Sequence, residues 1–263
     1  MNRADEFRFG ASLAGLGDLG SKILNAAKSP AGLSVMKPHL HNMVAGSAQM
    51  NSLSPSIDAA ANKHSELYVA ALALGAGLKV ELEDPNASAG GTNPDLLLSD
   101  ASDRWAIAVK ALHSAKVPSV FANIGKGASQ IERAGRPGII FVNAKNIVDR
   151  DSLLGASPFA SVELATEAVG RELDVIAHGL RSEIVEQDWE ETFHGRRASR
   201  LIALMAQVTV SAQVGTGAMF VPVKVMKAIP AFAQSAGPIV PEDVDAAAWK
   251  VLLRLNQQLQ RNV

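Results

Sequence analysis

Two apolar, strand-like runs lie on either side of a short turn rich in Asp and Ser: "PDLLLS" (94–99) and "RWAIAVKAL" (104–112). A turn this short joins antiparallel strands, so the two runs predict a β-hairpin. "LKVELED" (78–84) alternates like another strand, and "GIIFVNA" (138–144) is apolar almost throughout, as a buried strand would be. Helical patterns before and after these strands predict an α/β domain.

The helical patterns are bounded by recognisable start and stop signals. Ser56 or Asp58 can cap a helix that runs to about Gly75, and "NIGKGASQIERAG" (123–135) predicts a short helix stopped by Gly135. Further helices are predicted near 18–28 and 35–46, along a long apolar stripe from 162 to 184, and over 241–260. The run 200–215 fits a helix or a strand, and 219–226 is predicted to be extended.

The chain shows no internal repeat and no low-complexity linker, which favours one composite domain. Within it, residues 1–55 are predicted to form a helical lead-in and residues 56–150 the core. Residues 151–263 are predicted to add helices and strands that complete the same domain.

Composition excludes several classes of function. The chain has 263 residues and no cysteine, which excludes disulfides, thiolate zinc sites and Cys nucleophiles. No apolar run approaches the roughly 18 residues of a membrane helix, and the N-terminus lacks the pattern of a signal peptide. We therefore expect a cytoplasmic protein without a membrane partner. Serine-hydrolase and P-loop motifs do not occur.

Charge is segregated along the chain although the net charge is only −1. Residues 104–150 carry eight Lys or Arg against two acids, whereas residues 151–194 carry ten acids against two arginines. Such asymmetry suggests that one face binds an anionic partner while another is kept away from it. Two ordinary solvated helix faces would give the same pattern.

Asp95 and Lys110 lie near the ends of the two predicted hairpin strands. A carboxylate there can hold a hard Mg²⁺ ion through oxygen. An ammonium group beside it can orient or deprotonate a water molecule and offset charge that builds on a phosphorane. Because Val109 and Ala111 flank Lys110 in an apolar run, a functional role for this lysine is more plausible than a solvated strand end.

Two helices add further polar candidates. Glu66 falls at the edge of the apolar stripe of the helix that ends near Gly75, so its side chain is expected to point partly inward. Lys126, Gln130 and Arg133 follow at i, i+4 and i+7 and are expected to share one helix face. Such a face can bind backbone phosphates without reading base sequence.

Residues 56–145 resemble the PD-(D/E)XK nuclease superfamily in the order of these motifs. Pro94-Asp95 is similar to its PD motif and Lys110 to its catalytic lysine; Glu66 and Gln130 resemble residues on its first and second core helices. The resemblance implies a restriction-endonuclease-like α-β-β-β-α-β core with a mixed central sheet, extended by N- and C-terminal helices. It also implies hydrolysis of phosphodiester bonds in nucleic acid, with DNA favoured over RNA as the expected substrate. Mg²⁺ or Mn²⁺ would be held by Asp95 and Glu66.

Ala108 departs from the pattern, because (D/E)-x-K requires an acid two residues before the lysine. Three explanations stay open. In the first, the acid has moved to Glu132 on the following helix. In the second, Glu66 and Asp95 are sufficient as carboxylates to hold the metal, with help from Glu81 or Glu83. In the third, the site is degenerate, which leaves a nucleic-acid-binding protein without catalysis. A protein-interaction module that docks through acidic residues 160–194 is a further alternative, and a homodimer is left open.

Overall fold

A computed structural model describes residues 17–28, 30–44, 59–83, 93–100, 103–149, 152–153, 158–215, 219–237 and 243–259. Its helices are α1 (17–27), α2 (Pro30–Val44), α3 (Ala59–Gly75), α4 (Val117–Ala134), α5 (Val162–Glu183), α6 (Glu186–Phe193) and α7 (Asp243–Leu259). Its strands are β1 (Lys79–Leu82), β2 (Leu96–Ser99), β3 (Arg104–Ala111), β4 (Gly138–Asn143), β5 (Leu201–Gln213) and β6 (Phe220–Phe232).

All six strands form one mixed sheet in the order β1-β2-β3-β4-β5-β6. The pairs β1–β2, β2–β3 and β5–β6 are antiparallel, whereas β3–β4 and β4–β5 are parallel. The prediction of an α/β domain on a mixed sheet is therefore confirmed, as is the hairpin of β2 and β3. Helix α4 makes the crossover between the parallel strands β3 and β4.

Helices cover both faces of the sheet, which explains why β3 is apolar and buried from Trp105 to Val109. Ile107 and Val109 point to one face and pack in a cluster with residues of α3 and α7. Ala106 and Ala108 point to the opposite face and pack in a cluster with residues of α4 and α5. Because side chains alternate along a strand, a strand buried on both faces needs apolar residues at every position.

Helix α4 begins at Val117, six residues before the predicted start at 123. Pro118 lies in its first turn, where the missing N–H costs no intrahelical hydrogen bond. The helix ends as predicted at Gly135, whose φ of 67° is in the left-handed region. At Gly127 a Cβ atom would lie 3.0 Å from Ile140 of β4, so glycine lets the helix approach the sheet closely.

The ambiguous run 200–215 contains strand β5, and the segment 219–226 that was predicted to be extended belongs to strand β6. Each has 13 residues. Ten consecutive residues of β5 are buried, so the strand lacks the polar–apolar alternation that would have identified it.

The long acidic helix stops at Glu183, and α6 follows as a separate helix that the sequence did not predict. Two of its acids form ion pairs with Arg200: Glu186 at 2.9 Å and Glu190 at 2.5 Å. Part of the acidic excess therefore stabilises the domain itself instead of forming a free docking face.

The predicted helices near 18–28 and 35–46 correspond to α1 and α2, and that of 241–260 to α7. The predicted caps at Ser56 and Asp58 lie outside the described residues. In the described ranges, no helix combines the length and the apolar character that a membrane span requires.

Candidate functional site

Asp95 and Lys110 contact each other across the β2–β3 hairpin. Asp95 immediately precedes β2, and its N–H donates to the Ile107 carbonyl at 2.9 Å. Its Oδ2 accepts hydrogen bonds from Val109 N–H at 2.6 Å and from Lys110 Nζ at 3.5 Å. The side chains of Asp95 and Lys110 are only 10% and 13% exposed. The hairpin therefore brings together the two residues that the sequence singled out on its strands.

Glu66 approaches this pair from α3. The residue is 5% exposed, and its Oε2 accepts a hydrogen bond from Lys63 Nζ at 2.8 Å. Burial and, second, the negative charge of Asp95 raise the pKa of Glu66 to about 7, although Lys63 and Lys110 counteract both effects. Glu66 and Asp95 are therefore close enough for their charges to repel each other.

This pair of carboxylates fits a hard divalent cation. A cation would relieve the repulsion that raises the pKa of Glu66. Both side-chain hydrogen bonds of Asp95 use Oδ2, so among the described residues Oδ1 is left for a metal. In that same part of the chain, no three or more His, Cys, Asp or Glu side chains form a ready metal cage. Two carboxylates completed by water and substrate phosphate are typical of Mg²⁺.

Gln130 lies on α4 and holds the segment before Asp95. The residue is 3% exposed, and its Nε2 donates to the Asn93 carbonyl at 2.9 Å. Lys126 and Arg133, which were expected to share a face with it, are exposed. The predicted face is therefore divided: Gln130 positions the loop that carries Asp95, and the two cations face solvent on the same helix.

Ala108 fills a position in the core and does not mark a vacant ligand position. The residue is fully buried in the core between β3 and α4. A Cβ atom on Gly127 would lie 3.5 Å from the Ala108 Cβ, which shows how closely helix and strand approach there. A small apolar residue is what this packing requires, so an acid at position 108 would have no space and no solvent.

The three other acids that could replace the acid missing at position 108 have different surroundings in the structure. Glu132 binds Arg197, with 2.6 Å between its Oε1 and Nη1, so it is not the migrated acid. Glu81 is exposed on β1. Glu83 is half-buried, and its N–H donates to the Asp95 carbonyl at 3.2 Å. Of these acids, only Glu83 lies directly across from Asp95.

Three polar residues beside this site were missed from the sequence. Asn143 ends β4; its Nδ2 donates to Ser65 Oγ, and its Oδ1 accepts from Lys145 N at 3.0 Å. None of the three is more than 9% exposed. Because β3 and β4 are parallel, the segment "VNAK" at the C-terminal end of β4 lies at the same end of the sheet as Lys110 at the C-terminal end of β3. The sequence alone does not show this proximity, because it depends on the pairing of the two strands.

The raised pKa of Glu66 predicts how stability depends on pH. The folded chain binds a proton at Glu66 more tightly than an unfolded chain between pH 4.5 and about 7. The contribution of Glu66 to the free energy of unfolding should therefore fall as pH rises through that window, by on the order of 2 to 3 kcal/mol. Glu66→Gln lacks this contribution, so in urea denaturation its pH slope should differ from that of the wild type, while the exposed control Glu81→Gln keeps the wild-type slope. Equal slopes in both variants would contradict the assignment.

No protein-family model, curated protein or solved structure matches the chain. The geometry and chemistry of the site are therefore the basis for a proposed function.

Proposed function

We propose that this protein is a Mg²⁺-dependent nuclease that hydrolyses phosphodiester bonds in nucleic acid, with DNA as the first substrate to test. One observation carries the proposal: Asp95, just before β2, forms a buried ion pair with Lys110 of β3, and Glu66 is buried on α3 near enough for the charges of both residues to affect its pKa. Buried acids beside a lysine at a sheet edge are costly for folding, so their convergence favours a functional role.

Each residue has a role that follows from its surroundings. Asp95 and Glu66 would hold the cation, which supplies Lewis acidity and neutralises charge on the scissile phosphate. Lys110, 3.5 Å from Asp95 Oδ2, is placed to orient a water molecule and to stabilise the negative charge that develops on the phosphorane. Gln130 fixes the Asn93 carbonyl and so positions the segment that precedes Asp95.

The order of the elements supports a restriction-endonuclease-like core. Helix α3, the meander β1-β2-β3, helix α4 and strand β4 follow one another in the α-β-β-β-α-β order that the resemblance implies. The sheet is mixed, with β4 parallel to β3, and both acidic site residues precede β3 in the chain. The site thus combines the expected residues with the expected order of elements.

Nucleic acid is the substrate that the charges favour. Lys126 and Arg133 are exposed on α4, the same helix whose Gln130 reaches the loop before Asp95. Cations on the helix that borders the site would contact phosphates on either side of the scissile bond without reading bases.

Ala108 favours one second candidate: a nucleic-acid-binding protein on the same scaffold without catalysis. Of Glu81, Glu83 and Glu132, only Glu83 lies near Asp95, and the contact between the two residues is a hydrogen bond between their backbones. Incubating the purified chain with labelled single-stranded DNA, duplex DNA and RNA, in Mg²⁺ and in EDTA, separates the candidates. Cleavage only in Mg²⁺ supports the nuclease. Binding without cleavage of any substrate supports the second candidate and overturns the first.

Removing the exposed cations of α4 should weaken binding uniformly across unrelated sequences. For Lys126→Gln and Arg133→Gln, we expect the slope of log K against log salt to flatten by about one unit for each phosphate that the variant no longer binds. Lys79→Gln, at an exposed position on β1, serves as the control and should keep the wild-type slope. An unchanged slope in the α4 variants would show that these two side chains do not bind phosphate.

A further inference from the structure

Asn143 is the last residue of β4, and its buried side chain reaches from the sheet to α3. Its Oδ1 accepts a hydrogen bond from the N–H of Lys145 at 3.0 Å, and its Nδ2 donates to Ser65 Oγ at 2.5 Å. Because a backbone N–H can only donate, it determines which end of the amide group points to Lys145 and leaves Nδ2 for Ser65. Both ends of the Asn143 side chain therefore have a defined partner.

The main chain of Asn143 also binds the segment that carries Lys110. The Asn143 carbonyl accepts a hydrogen bond from the N–H of Leu112 at 3.0 Å, at the end of the parallel pair β3–β4. Leu112 follows Lys110 by two residues, and Ser65 immediately precedes Glu66. One residue of β4 is therefore hydrogen-bonded beside two of the site residues, which belong to two different elements.

Apolar packing alone does not determine the rotation of α3 about its axis. Every residue from 64 to 73 is buried, so this part of the helix is enclosed on all sides. Hydrophobic burial is non-directional, yet neighbouring side chains of a helix point about 100° apart, so a small rotation would carry Glu66 away from Asp95. A defined rotation needs directional contacts, and the hydrogen bond from Asn143 to Ser65 is one that joins α3 to the sheet.

We propose that Asn143 is a positioning residue, which sets the distance between Glu66 and Lys110 in the candidate site. The effect on cleavage rests on the proposed function, whereas the hydrogen bonds of Asn143 do not. Asn143 would act through Ser65 on the helix and through Leu112 after the strand, without touching the metal or the phosphate itself. A displacement of about 1 Å at a reacting group can lower turnover by about 10²-fold, so a contact outside the reacting atoms can control the rate.

Replacing Asn143 tests this role with and without a metal. Asn143→Ala loses both side-chain hydrogen bonds, and its metal-free crystal structure should show the Glu66 carboxylate displaced relative to Lys110 Nζ. Mn²⁺ alone, titrated calorimetrically, should bind about tenfold or more weakly than to the wild type. On duplex DNA, kcat should fall by about 10²-fold while KM changes little, because the exposed cations of α4 still bind the substrate.

A conservative variant separates positioning from a general loss of stability. Asn143→Asp can keep both hydrogen bonds, since a carboxylate accepts from the N–H of Lys145 and from the hydroxyl of Ser65. Glu66 should therefore stay in its wild-type position in this variant. If Asn143→Ala does not fold, Ser65→Ala removes the bond between α3 and the sheet from the helix side and should displace Glu66 in the same way.

Asn146→Ala is the matched control. Asn146 lies in the turn that follows β4, and its Nδ2 is 3.2 Å from Nδ1 of His113. Its removal should leave the position of Glu66, the Mn²⁺ affinity and kcat at their wild-type values. Circular dichroism checks that each variant is folded.

The results distinguish this role from the proposed activity. A folded Asn143→Ala in which Glu66 keeps its wild-type position would overturn the positioning role. Wild-type kcat from that variant would overturn it as well, and the nuclease proposal would then stand alone. If Glu66 moves in Asn143→Ala and not in Asn146→Ala, while the wild type neither binds Mn²⁺ nor cleaves DNA, the positioning role holds and only the nuclease proposal fails.

Discussion

Asp95→Asn should remove Mg²⁺-dependent cleavage while the chain stays folded. Asparagine keeps a side-chain oxygen that can accept from Val109 N–H, 2.6 Å from Oδ2 in the wild type, so the start of β2 should hold its position. It removes the charge that pairs with Lys110 and would bind the cation. We expect a decrease in turnover of about 10²-fold or more, the range seen when one transition-state interaction is removed. Gel-based cleavage assays measure this directly, with Asp174→Asn, at an exposed position on α5, as the control.

The same variant has a readout that does not depend on activity. The charge of Asp95 is one of the causes that raise the pKa of Glu66 to about 7, so that pKa should fall in Asp95→Asn. Carbon-detected NMR of the Glu carboxyl groups follows it. Wild-type turnover from the purified variant would contradict the role of Asp95. An unchanged Glu66 pKa would contradict the coupling of the two acids.

Ala108→Glu should destabilise the fold and not restore a ligand. The new side chain would have to enter the core between β3 and α4, where Ala108 is fully buried next to Gly127. Overpacking and the burial of a carboxylate together should lower the free energy of unfolding by about 3 kcal/mol or more. Ala122→Glu, at an exposed position on α4, should change it by no more than about 0.5 kcal/mol.

Urea denaturation of both variants compares the two positions. A folded Ala108→Glu with wild-type stability and tighter Mn²⁺ binding would show that position 108 opens into the site after all. A partly unfolded protein, with Ala122→Glu unaffected, would confirm that the missing acid reflects core packing.

The hairpin and the proximity of Asp95 to Lys110 could be predicted from the sequence because the relevant signal is local. Alternating or apolar runs with a short turn between them determine an antiparallel pair, and an antiparallel pair places Asp95 near Lys110. The inward direction of Glu66 also followed from helical periodicity. The size of the pKa shift of Glu66 could not be predicted, since it depends on how deeply the side chain is buried and on which charges surround it.

Other features could not be predicted because they depend on long-range neighbours or on burial from both sides. Strand β5 is buried on both faces, so its pattern does not distinguish a helix from a strand. The surroundings of Ala108 could not be predicted either, because an apolar residue in an apolar run does not show which face of the sheet its side chain lies on. The hydrogen bond between Ser65 and Asn143 joins residues 78 positions apart, so no local pattern predicts it.

A crystal structure of the wild-type chain soaked in Mn²⁺, with anomalous diffraction data, tests the central claim most directly. We expect one anomalous peak bound by carboxylate oxygens of both Glu66 and Asp95, close to Lys110 Nζ, with Glu66 ionised. A structure without manganese at these residues, in which Asp95 keeps its ion pair with Lys110 and Glu66 keeps its hydrogen bond to Lys63, would contradict the proposed metal site.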